Sequence, residues 1–116
     1  MPHPVVHFEI LGRDQKLLEE FYKSVFNWEI EPVEDWYSLV KPGTGIGGGI
    51  GAREQYTGHV TFYVAVADIV AALALIESKG GKTAFGPHPI PDGGIIATFT
   101  DPEGHQIGLV QPPPGM

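Results

Sequence analysis

Val6-His7-Phe8-Glu9-Ile10 and Val60-Thr61-Phe62-Tyr63-Val64 carry the same alternation of apolar and polar side chains, 54 positions apart. Period-2 alternation with β-branched and aromatic residues is the signature of a half-buried strand. The parallel continues downstream, because Asp14 and Asp68 hold equivalent places and each opens a helical pattern. The chain therefore reads as one unit written twice. Each opening strand has an apolar face, Val6/Phe8/Ile10 and Val60/Phe62/Val64/Val66, expected to pack on the helices. Side chains two apart on a strand share a face, so His7 and Glu9 look the other way, as do His59, Thr61 and Tyr63.

Working outward, Val5–Leu11 is a strand, and Asp14 is an N-cap. Leu17, Leu18, Phe21, Tyr22, Val25 and Phe26 then recur at three- and four-residue spacing, which predicts an amphipathic helix. Trp28–Val33 and Trp36–Lys41 form a hairpin turning at Glu34-Asp35. Ile46–Ala52 is a glycine-rich fourth strand. Residues 53–58 are a linker. His59–Val66 is the next strand, and Asp68 caps a helix running to Lys79, stopped by Gly80-Gly81. Lys82–Phe85 is a short strand, residues 86–94 a long loop, and Ile95–Thr100 and Gln106–Gln111 the last two strands. The reading is an α+β fold of two tandem βαβββ modules, residues 1–52 and 59–111. Their curved mixed sheets surround a shared cup, and residues 112–116 form a proline-rich tail with an extended path.

A length of 116 residues fits one compact domain, and 42% hydrophobic residues suffice for a packed interior. The formal charge of −7 argues against nucleic acid and anionic membrane, which require a positive footprint. No apolar run spans a bilayer, and the opening Met1-Pro2-His3-Pro4 lacks the regions of a signal peptide, so the expected location is the cytoplasm. With no cysteine, disulfides and thiol nucleophiles are excluded.

The element order resembles that of the vicinal oxygen chelate superfamily, which includes glyoxalase I, bleomycin-binding proteins and extradiol dioxygenases. Local segments agree: His7-Phe8-Glu9-Ile10, Phe21-Tyr22 with Phe26-Asn27-Trp28, Gly80-Gly81-Lys82, and Asp101-Pro102-Glu103-Gly104 followed by Ile107-Gly108-Leu109. The similarity runs from about Val5 to Gln111 and is greatest to small bacterial glyoxalase-related proteins. It implies a divalent metal held by two residues from each module, on the first and fourth strands. His7 keeps the first of these positions. Thr61, Gly48 and Gly108 stand where the other three are expected, so three of four ligands are missing. A rebuilt His7–Glu9–His59 set would match the two-histidine-one-carboxylate pattern of iron and zinc sites. The alternative is a hydrogen-bonded His7–Glu9 pair without metal.

Two functions follow. One is a glyoxalase-like protein holding a small organic molecule in the cup, with lyase or isomerase chemistry. There His7 is the general base and Glu9 orients it or raises its pKa, while His59, Thr61, Tyr63 and Trp36 bind the ligand. The other is a non-catalytic small-molecule (drug) binding protein of the bleomycin-resistance type. Relatives commonly pair, so a homodimer is expected, with Trp28, Trp36 or Tyr37 near the contact. His3, His88 and His105 fall in the tail or loops and are expected to be solvated. The same holds for the carboxylates of the Asp101–Gly104 turn.

Overall fold

Both predicted caps form. Asp14 accepts a hydrogen bond from the Leu17 N–H at 3.0 Å, and Asp68 accepts one from Ala71 at 3.0 Å. Each satisfies a backbone donor that the first helical turn leaves open. The computed structural model describes residues 2–114; the last two residues of the expected tail lie outside that range. The order is β1 (Val5–Gly12), α1 (Gln15–Phe26), β2 (Glu29–Glu34), β3 (Tyr37–Lys41), β4 (Gly47–Ala52), β5 (His59–Ala65), α2 (Ile69–Ser78), β6 (Lys82–Pro89), β7 (Ile95–Thr100) and β8 (Gln106–Gln111). The α+β class and the doubled βαβββ order are thus observed. Two compact units result: Val6–Thr61, and Phe62 onward with the residues up to Val5.

In the first unit the strands run β2-β3-β4-β1. β1 is parallel to β4, and the other pairs are antiparallel. The glycine-rich stretch is a strand because both of its neighbours hold it, in the registers Val40↔Gly48 and Phe8↔Gly48. One face packs under α1. Val40 and Ile50 are buried there, and Phe8, Tyr22, Phe26 and Trp28 form a chain of rings with centroids 5.3–6.3 Å apart. Trp28 is thereby engaged inside its own chain. A polar clamp completes the layer. The fully buried Ser38 hydroxyl donates to Glu19 Oε2 at 2.7 Å and accepts from Gln15 Nε2 at 3.0 Å. Asn27 ends α1 in the left-handed conformation (φ 58°), which asparagine tolerates.

In the second unit the order is β5-β8-β7-β6. Val66, Ile69, Leu73, Ala97 and Leu109 form its core. Two expectations are corrected here. First, β6 does not stop at Phe85. It continues through Pro89, pairing His88 with Ile96 and Pro89 with Ile95, with breaks in register along the way. An edge strand has only one side to satisfy, so it tolerates prolines that a central strand would not. His88 therefore lies in a strand. Second, the apolar face of β5 is only half covered. Val64 and Val66 join the core under α2, but Val60 is 71% exposed and Phe62 39%.

The Asp101 turn is more organised than a solvated cap. Oδ1 accepts the N–H groups of Glu103 and His105, both at 2.9 Å, and His105 Nδ1 lies 3.0 Å from Oδ2. These bonds, that from the His105 N–H foremost, hold the Asp101 carboxyl below its ordinary range.

Candidate functional site

Strand parity places His7 and Glu9 on the face of β1 opposite α1. Phe8, between them, turns its ring toward Gly48 and Trp28 on the helix side. The two side chains are drawn into one group by a third. Tyr37 Oη donates to Glu9 Oε2 at 2.9 Å and lies 2.9 Å from His7 Nε2. All three residues are partly buried. Burial lowers the His7 pKa from its ordinary 6.5, because a charged imidazole loses hydration there. The net direction is opposite to the expectation that Glu9 would raise it.

Tyr37 reaches across because β4 has no side chains in its way. Its register partner is Gly51, two residues from Gly49 on the same face. A Cβ at Gly51 would meet Tyr37 Cδ1 at 2.9 Å, and one at Gly49 would collide with the phenol oxygen. The glycines are therefore a lane in which the ring lies flat, letting a β3 side chain touch residues of β1. The sequence placed Tyr37 only near an expected dimer contact and gave no sign of this role beyond the alternation Gly49-Ile50-Gly51, which empties one face of the strand.

The second unit repeats the device in shorter form. Tyr63 pairs with Gly108, and its ring lies where a Cβ on that glycine would stand. Tyr63 is the counterpart of Glu9, which pairs with Gly49. Register thus makes Gly49, not Gly48, the equivalent of Gly108. At both fourth-strand positions, a tyrosine covers a glycine.

The rest of the predicted site divides. Trp36 stands beside Tyr37, ring centroids 5.2 Å apart, with the Arg53 guanidinium 4.4 Å over its indole. Thr61 is buried, and His59 is half-buried at the start of β5. Among the described residues no group of three or more His, Cys, Asp or Glu side chains could hold a metal ion, so His7, Glu9 and His59 do not form the considered set. The residues present do not fit the metal implied by the resemblance, and no step here depends on one. Among the described residues, no helix is long and apolar enough to cross a membrane.

A family model described as Glyoxalase/Bleomycin resistance protein/Dioxygenase superfamily matches residues 5–109. No curated protein sequence matches the chain. Similar folds occur among solved structures. Methylmalonyl-CoA epimerase from Mycobacterium tuberculosis has a TM-score of 0.69 at 18% identity, covering 95% of this chain and 88% of that one. A variant of the Streptomyces coelicolor methylmalonyl-CoA epimerase, in complex with 2-nitronate-propionyl-CoA, gives 0.68 at 19%, covering 93% and 96%. A hypothetical protein from Bacillus halodurans C-125 gives 0.74 at 11%, covering 96% and 95%.

Proposed function

We propose that this chain, which belongs to the glyoxalase/bleomycin resistance protein/dioxygenase superfamily, binds a small carbonyl compound and moves a proton on the carbon beside its carbonyl. The observation that carries this reading is the His7–Tyr37–Glu9 group, an imidazole linked through a phenol to a carboxylate, with burial lowering the imidazole's pKa. A base near neutrality, within reach of an acidic C–H, is the requirement for that chemistry. Fold neighbours named as epimerases support the isomerase class. Thr61 and Trp36 are the proposed contacts for the ligand.

The test is proton exchange. The protein is incubated in deuterated water with a panel of 2-oxoaldehyde adducts and thioesters of branched acids, and loss of the carbon-bound proton is followed by NMR. Exchange that requires His7 supports the proposal. A panel that shows no exchange at any member sinks it. A second reading, binding without chemistry, is favoured by the Trp36 ring beside Tyr37, with Arg53 over the indole, since aromatic faces of this kind stack on planar ligands. Retention of such a ligand without exchange distinguishes it.

A symmetric homodimer belongs to the same reading. Leu17, Phe21 and Val25 recur every fourth residue on α1 and are each more than half exposed, an apolar stripe that a second copy would cover. Light scattering should return twice the 12.5 kDa chain mass, and a polar substitution at Phe21 should halve it. A wild-type protein of single-chain mass would contradict the dimer.

A further inference from the structure

We propose that Arg13 and Arg53 form a binding site for a phosphate group, at the end of the first unit where β1 and β4 both stop. The site goes beyond the proton transfer proposed above and does not depend on it.

These are the only two arginines of a chain with formal charge −7, and they lie far apart in sequence. The parallel register brings them together. Leu11 pairs with Gly51 and Gly12 with Ala52, and the Arg53 N–H donates to the Gly12 carbonyl at 3.1 Å. Arg13 and Arg53 take the next position on each chain segment. Neighbouring strands run about 4.8 Å apart, so two positive side chains leave adjacent stretches of backbone. Like charges so placed cost stability unless something balances them.

Each side chain is held by a group without charge. Arg13 Nε donates to the Tyr56 carbonyl at 2.9 Å, on a turn closed by the Tyr56 N–H bond to the Arg53 carbonyl at 3.0 Å. The Arg53 guanidinium lies 4.4 Å over the Trp36 ring. The ion pairs among the described residues are Lys41–Glu31 and His105–Asp101, so neither arginine is in one. Asp14, beside Arg13 in sequence, caps α1 instead.

These restraints leave the donors usable. Stacking engages the face of a guanidinium, while its N–H groups lie in the plane. A bond from Nε leaves the two terminal nitrogens, a fork that grips two oxygens of one anion. Both arginines are exposed, so a ligand reaches them without a change of fold. Two single positive charges match a phosphate dianion, which has oxygens for both forks; a carboxylate would balance only one of them. The bound anion would also remove the repulsion between the two cations.

The experiment follows the arginine side chains by NMR. With nitrogen-15-labelled arginine, the full chain has two Nε–H signals, assigned with Arg13→Gln and Arg53→Gln. Inorganic phosphate is titrated at constant ionic strength, and both signals should move with one shared midpoint. By calorimetry each variant should bind phosphate about 10–100-fold more weakly, the range for losing a hydrogen-bonded charged group. Lys82→Gln removes the same charge from the second unit and should bind as the wild type does. Phenyl phosphate separates the sources: tighter binding than the free ion assigns the site to a phosphate ester, and equal binding to inorganic phosphate itself. Signals that stay still, or that move with different midpoints, overturn the proposal. So does acetate binding as tightly as phosphate, or a loss in Lys82→Gln as large as in the arginine variants. The wild-type titration decides the matter even if a variant fails to fold. A protein that binds phosphate here but exchanges no carbon-bound proton keeps this site and loses the proposed function.

Discussion

A His7→Ala protein is expected to exchange the carbon-bound proton of its substrate about 10²–10⁴-fold more slowly than the wild type, the range for loss of a positioned general base. Binding should change far less, because Trp36 and Thr61 remain. The pH profile adds a check of sign. The reactive form of His7 is the unprotonated one, so the rate must rise with pH and level off. Burial lowers the His7 pKa, which places the midpoint of that rise below the ordinary 6.5. Glu9 and Tyr37 are titratable groups bonded together with His7, and an ionised Glu9 pulls the midpoint the other way. Glu9→Gln should therefore move it further down. A rate that falls as pH rises through this range, or an alanine variant as fast as its parent, would remove His7 from the chemistry.

The second large effect is on stability. Ile50→Ala should cost about 2–5 kcal/mol, the span for truncating a buried aliphatic side chain. Ile50 is fully buried and is the one side chain within the run Gly47–Gly51. How much such a cavity costs depends on how far its surroundings can collapse into it. Urea denaturation should show a lower midpoint with an unchanged slope. A loss below about 1 kcal/mol would mean that the sheet closes over the gap.

How these two residues were found differs. The face of His7 was legible, because alternation on a strand with one apolar side leaves no choice of parity. The helix caps at Asp14 and Asp68 were equally plain, since a short acidic side chain before an amphipathic run meets local backbone donors. The limits of β6 were not. Two prolines and a glycine read as a loop, and only the pairing of an edge strand with β7 makes them sheet. The exposure of Val60 and Phe62 was hidden for a similar reason. An apolar face in sequence says that burial would be favourable, not that the fold covers every residue of it.

What could be read along the chain was whatever neighbouring residues determine among themselves: the doubled βαβββ order, the caps, and the side of the strand on which imidazole and carboxylate stand. The hydroxyl joining them could not be read there, since Tyr37 lies 30 residues from His7 and meets it only once β3, β4 and β1 pair in register. That register aligns Gly49 and Gly51 beneath the ring. Side-chain contact across an intervening strand depends on what that strand leaves out, and only folding reveals which side chain occupies the space.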